Sequence, residues 1–392
     1  MNYNAVGLRG SSKTVLLELC AVSGHGLNDH QKRKDRQLTP SKLLLLRLLP
    51  HLLLRAGISS LSSDYIEWTQ FSGFQTVIRM DLRQRNPSLS RRVSYVIDEV
   101  KTAEHDTLEC VKTLTWHQLE EWQKDNEYIT QGYRRAQNNW KGCFHSIFGY
   151  LHNETVNIHT HLWGAVLFLV LFANQLYVMA RYPTATWVDS TMFSVFLVSV
   201  VVCLTSSTFY HMAGCHSARV ARRCNALDYS GIVVLIVGSF FPAMYYAFFC
   251  EPVLQGAYLS GILLAGLGAA FIVLNPEYSK PTHRGARTKV FIALGLSAVV
   301  PLTHALLTHG LSTLREEMSV DLVVLSGALY IFGAVLYANR IPERLSLGTF
   351  DYFFSSHQIF HIMVVLAALA HYAAVLTDIE HWHGIKKGVC SV

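Results

Sequence analysis

Seven windows of about 20 mostly apolar residues limit what this chain can fold into more than any other feature. Twenty residues is the length an α-helix needs to cross the hydrocarbon core of a bilayer. The windows lie near 160–180, 191–212, 229–250, 256–274, 288–308, 321–339 and 353–376. Polar connections separate them, most clearly NPEYSKPTHRGART (Asn275 to Thr288) and ANRIPERLSLGTFD (Ala338 to Asp351). Within lipid, each backbone N–H and C=O must find its partner inside the protein. The windows therefore predict an all-α, polytopic bundle of seven transmembrane helices. Charge is distributed accordingly: residues 1–150 hold 20 of the 33 Lys+Arg and 15 of the 27 Asp+Glu. A polar head joins an apolar body near Tyr150.

Basic residues in the short loops orient the bundle. Arg219, Arg222, Arg223, Lys280, Arg284, Arg287, Lys289, Arg340 and Arg344 fall on one side, against Arg181, Arg315, Lys386 and Lys387 on the other. The bias predicts a cytosolic N-terminus and an extracellular C-terminus. Residues 1–112 are expected to be a cytosolic, poorly ordered region or the product of a misassigned gene start. LLLLRLLPHLLL (Leu43 to Leu54) is too short to span, and Arg47 and Pro50 interrupt it. SSLSSDYIEW and QRNPSLSRR have the composition of a disordered tail. TVLLELCAV (Thr14 to Val22) contains Glu18 and is too short for a signal peptide. Residues 113–157 form a pre-membrane segment in which TWHQLEEWQKDNEYI has helical periodicity. The bundle occupies 158–380, and 381–392 is a short outer tail. Eight scattered cysteines include no C-x-x-C pair, which argues against a disulfide scaffold or a Cys-type zinc site. Cys250 and Cys390 can pair if they share an oxidising side.

Ionisable residues inside a span are costly and mark function. His357 and His361 open the last span; His211 closes the second; Asp228 opens the third; Glu154 and Asn157 open the first. The topology places all of them at one membrane depth on the cytosolic side. On a helix, i and i+4 share a face, so His357 and His361 can hold one ion, and His211 completes a three-histidine set. Three imidazoles with an open fourth position suit catalytic zinc, whereas calcium and magnesium prefer oxygen ligands. Asp228 is placed to hold a water and act as general base. Ser207, one turn before His211, can polarise a substrate carbonyl or bind a ligand. Paired histidines on an apolar helix often only satisfy backbone groups, so the depth match carries the weight. His304, His309 and His371 lie on the wrong side or away from the cluster. His159 and His161 are expected at the interface, and Glu154 as a residue favoured by the helix dipole.

The segments ETVNIHTHLWG, SSTFYHMAGCHSARVARRCNALDYSG and SSHQIFHIMVVLAALAHY also resemble the progestin and adipoQ receptor family, which includes the adiponectin receptors and haemolysin III proteins. DNEYITQGYR and CFHSIF are similar to that family too. The likeness covers roughly residues 115–385, and GSFFPAMYY and NPEYSKPTHRGART look closest to its fungal members. The resemblance implies a seven-helix receptor with a cytosolic N-terminus and zinc on His211, His357 and His361. Asp228 would be the partner of the water. The resemblance also implies ceramidase-like hydrolysis of a lipid amide, with links to lipid and zinc homeostasis signalling. The partners that follow are a membrane lipid (ceramide or a related sphingolipid), an extracellular protein ligand and a second copy of the chain, with no nucleic acid. The location implied is the plasma membrane or endoplasmic reticulum. A non-catalytic receptor with structural zinc and a haemolysin III-type channel are the alternatives. A retinal protein is excluded because 353–376 contains no lysine. No G-x-S-x-G motif supports a serine hydrolase, and no inverted repeat supports a transporter.

Overall fold

The computed structural model describes residues 113–275 and 283–390, together with the backbone of 66–71 and 75–80. The chain divides into two compact units, Met1–Lys112 and Thr113–Val392. In the first, strand β1 (Ile66–Phe71) pairs antiparallel with β2 (Gln75–Met80), Ile66 opposite Met80 and Phe71 opposite Gln75. Both strands are rich in β-branched and aromatic residues, which suit a pleated surface. The stretch SSLSSDYIEW, read as disordered tail, thus ends in a strand from Ile66 onward. Residues 14–22, 43–54 and 84–92 lie outside the described residues.

The second unit opens with a two-residue pairing of β3 (Thr113–Leu114) with β4 (Tyr133–Arg134). The helix expected over TWHQLEEWQKDNEYI does not form. Only two short 3₁₀ turns occur there, Trp116–Gln118 and Glu121–Gln123. Tertiary contacts override the local periodicity. Trp116 N–H donates to the Thr130 carbonyl at 2.9 Å, Asp125 pairs with Arg340, and Thr130 is bound to Asp351 through its N–H and its hydroxyl, both at 2.8 Å. The first helix is instead α1 (Trp140–Gly149), started by the Asn139 side chain accepting from Gly142 N–H.

Seven helical spans follow. They are α2 (Thr155–Met179), α3 (Trp187–Ala213), α4 (Ala218–Ala247), α5 (Pro252–Val273), α6 with α7 (Arg284–Leu296 and Val299–Glu317), α8 (Val320–Asn339) and α9 (Ser356–Ile379). Each coincides with one expected window. The fifth span is two helices meeting at Ser297–Ala298. The third starts well before its apolar window, because the basic stretch RVARR is itself helical and projects beyond the apolar zone. Asp228 therefore sits ten residues into α4, about 15 Å along its axis, instead of at its tip.

Small residues bring α3 and α4 together. A Cβ on Gly231 would come within 3.0 Å of Cys203 Cα, and one on Gly238 within 2.3 Å of Ser199 Oγ. This close approach carries Asp228 toward the α3 face that bears Ser207 and His211. On α8, Gly333 serves in the same way against Phe360 and Met363 of α9. The core between α2, α3, α4 and α9 contains Phe168, Phe193, Phe196, Leu204, Ala368 and Val375. Leu264, Leu267 and Phe271 of α5 and Leu307 of α7 are exposed, as expected of side chains that meet lipid rather than water.

The tail expected from residue 381 is in part helix. A π-turn, Glu380–Ile385, prolongs α9 and buries His381, Trp382 and His383. Trp382 stacks on Phe249 with ring centroids 4.3 Å apart and donates to the Glu317 carbonyl. His383 pairs with Asp189 at 2.7 Å, both fully enclosed. A disulfide joins Cys250, just beyond α4, to Cys390.

Candidate metal centre

His211 lies in the last turn of α3, and His357 and His361 in the first turns of α9. Their three rings form a nearly equilateral triangle, with centroids 4.9 Å (His211 to His357), 4.7 Å (His211 to His361) and 4.9 Å (His357 to His361) apart. One ring nitrogen from each lies within 4.8 Å of the others. Among the described residues, this is the one group of three or more His, Cys, Asp or Glu side chains able to share an ion.

Helix α2 sets the orientation of two of the rings. His211 Nδ1–H donates to Glu154 Oε2 at 2.6 Å, and the same oxygen accepts from Asn157 Nδ2 at 2.7 Å. His361 Nδ1–H donates to the Asn157 carbonyl at 3.1 Å. With Nδ1 protonated, Nε2 keeps its lone pair for a metal, the usual carboxylate–histidine and carbonyl–histidine support. His211 Nε2 is buried with no hydrogen-bond partner. A buried, unpaired polar nitrogen is costly, and a cation at the centre of the triangle would satisfy it. The donor set therefore fits zinc: three imidazoles and one open position.

Glu154 has a larger role than the helix dipole suggested. It occupies the N-cap of α2, but its carboxylate makes no capping bond and faces His211 and Asn157 instead. His161, expected at the interface, is 3 % exposed and stacks on His361 with centroids 3.7 Å apart. Neither of its ring nitrogens has a partner. The signal for it was present in the spacing, since 154, 157 and 161 share one helical face. His159 instead contacts the Ile147 carbonyl, His371 the Ser239 carbonyl, and His304 the Tyr258 hydroxyl.

Asp228 and Ser207 are both buried. They line a cavity of about 920 Å³ together with His161, His357 and His361. Deeper walls are apolar, with Met244, Leu302 and Val323 among them. A second, smaller cavity of about 160 Å³ is the more polar of the two, with Glu154, Asn157, His211, Arg134 and Arg340 in its lining. His357 and Asp125 line both. The histidine triangle thus stands between a polar chamber and an apolar one.

The start of α9 is held by groups that motif spacing did not reveal. Glu343 is completely buried and accepts from Ser356 N–H at 2.7 Å, from the Ser356 hydroxyl, and from Asn126 Nδ2 at 3.1 Å. Gln358 donates to the carbonyls of Asn153 and Tyr352. The guanidinium groups of Arg340 and Arg284 beside Asp125 hold its carboxyl below the usual range. Glu343→Ala leaves the Ser356 donors buried and unpaired, at a cost of roughly 1–3 kcal/mol. The expected result is a clearly lowered thermal midpoint in detergent. Glu121→Ala removes only an exposed pair with Lys124 and should leave the midpoint almost unchanged.

The chain is similar in sequence to known proteins. The haemolysin-III-related family model matches residues 149–372. An ADIPOR-like receptor of Saccharomyces cerevisiae, IZH2, is 35% identical over 278 residues, covering 71% of this chain and 87% of that protein. The adiponectin receptor protein of Drosophila melanogaster is 37% identical over 265 residues, and heptahelical transmembrane protein 1 of Arabidopsis thaliana 36% over 279. The chain spans 59% of the length of the fly protein, 83% of the plant protein and 60% of a Caenorhabditis elegans progestin and adipoQ receptor-like protein. With more than half its length matched by the family model, and all seven spans present, the chain belongs to the haemolysin-III-related, adiponectin-receptor-like family of multi-pass membrane proteins.

Proposed function

We propose that this protein is a zinc-containing receptor-type membrane protein that hydrolyses a lipid amide of the ceramide class. The observation that carries the reading is the histidine triangle, with two of its Nδ1 atoms anchored by α2, at the wall between a polar and an apolar cavity. His211, His357 and His361 would hold the ion. When bound, zinc lowers the pKa of a coordinated water to about 7 and polarises a carbonyl.

The chain's own groups do the rest. The apolar cavity takes the acyl chain and excludes water from it. The polar chamber supplies the water. Asp228 accepts the water's proton as its oxygen adds to the amide carbon, and returns it to the nitrogen as the C–N bond breaks. The products are a fatty acid and a sphingoid amine. Ser207 lines the same cavity as Asp228 and is given to polarising the substrate carbonyl or binding the ligand.

The cytosolic side is proposed for the histidines. The basic loops support it, and so does the Cys250–Cys390 disulfide at the opposite end of α4 and α9, since disulfides persist in oxidising compartments. Purified full-length protein in ceramide-containing micelles should release fatty acid. Chelator should stop the release and zinc restore it. Zinc-replete protein that releases none from any ceramide would overturn the hydrolase reading.

A further inference from the structure

Two thiols lie outside the chemistry described so far. Cys143 is on α1, and Cys215 follows the last turn of α3, four residues after His211. Their sulfurs are 3.7 Å apart, and the residues are 0 % and 2 % exposed. The surrounding segments are tightly docked. Arg134 donates to the carbonyls of His211 and Met212 and to the Ser146 hydroxyl. Gln137 and Asn138 N–H groups donate to the carbonyls of Cys215 and His216 at 2.8 and 2.9 Å. The polar chamber of about 160 Å³ is lined by both Arg134 and Cys215. Buried cysteines are ordinarily inert packing groups. These two differ from that case in having each other within reach and a polar route to one of them.

We infer that Cys143 and Cys215 are an oxidisable dithiol, a modification site for small peroxides, whose disulfide latches the end of the metal-bearing helix α3 to α1. The sulfur–sulfur contact, with Arg134 close by, pushes the Cys215 thiol down to about 7, while the same contact and burial raise that of Cys143. Cys215 is then the attacking sulfur. Its thiolate attacks one oxygen of hydrogen peroxide, and the O–O bond breaks. Cys215 becomes a sulfenic acid, and the hydroxide that leaves takes up a proton. The Cys143 sulfur then attacks the Cys215 sulfur and expels a second water. Two thiols lose two electrons and two protons, and one peroxide becomes two waters. The two sulfurs close to a bonded distance of about 2.05 Å, so the docking of 137–143 on 211–216 becomes covalent. Cys203 and Cys224 are also buried free thiols and serve as internal controls. Cys224 is the sharper control, because it shares the apolar cluster of Cys143 and Cys215.

The test uses full-length protein in membrane vesicles, treated with low hydrogen peroxide, alkylated, digested and examined by mass spectrometry. A Cys143–Cys215 linked peptide should appear and vanish with dithiothreitol. Hydrogen exchange over 137–143 and 211–216 should slow severalfold on oxidation. Cys143→Ser should stop the reaction at the first step, leaving a dimedone-reactive sulfenic acid on Cys215. Both thiols remaining alkylatable in folded protein would overturn the proposal, as would a Cys215–Cys224 bridge, an absent dimedone adduct in folded Cys143→Ser, or a linked peptide without slower exchange. None of these measurements depends on zinc or on hydrolysis, so this proposal can fail while the metal reading stands.

Discussion

His361→Ala should strip the purified protein of nearly all its zinc. The site has only three imidazoles, and losing one leaves a two-coordinate fragment in a buried place. His357→Ala and His211→Ala should behave alike, because the triangle is close to equilateral and no ring is peripheral. Glu154→Gln is milder. It keeps an oxygen near His211 Nδ1 but removes the charge, and supporting residues of this kind typically cost 10–100-fold in affinity. His304→Ala alters a contact with the Tyr258 hydroxyl away from the site and should leave zinc untouched. Elemental analysis of the purified variants gives the answer. Zinc retained at wild-type level in all three histidine variants would refute the centre.

Asp228→Asn separates catalysis from metal retention. The substitution keeps size and shape. It removes the basicity that takes the proton from water. Ceramide hydrolysis should fall by roughly 10²-fold or more, the scale of a lost general base, with zinc content unchanged. If zinc is lost as well, Asp228 is a fourth ligand, the site is closed, and the structural reading of the metal wins. If hydrolysis is unchanged, another carboxylate moves the proton, and Glu154 is the nearest to the histidines.

Much of this architecture was legible because lipid is an unforgiving solvent. A span must be long, apolar and helical, so each of the seven windows found its helix. The histidines were legible for the complementary reason: an imidazole is costly in that setting, and helical spacing with loop charge sets its depth. What escaped the sequence depended on contacts distant along the chain. TWHQLEEWQKDNEYI has a helical period, but Asp125, Asn126 and Thr130 are drawn to Arg340, Glu343 and Asp351 more than two hundred residues away. Glu343 and Arg134 reveal nothing in their local spacing, though each anchors a helix end that carries a histidine. His161 was within reach, because it shares a face with Glu154 and Asn157, but adjacency to His159 hid which of the two points inward. The early start of α4 was missed because an apolar window cannot register a helix that continues into water.

Zinc K-edge X-ray absorption on purified full-length protein tests the centre most directly. Three imidazole nitrogens and one further light atom, at roughly 2.0–2.1 Å, are the result expected from His211, His357 and His361. Sulfur neighbours at about 2.3 Å, or folded protein that holds no zinc when purified with zinc present, would contradict it.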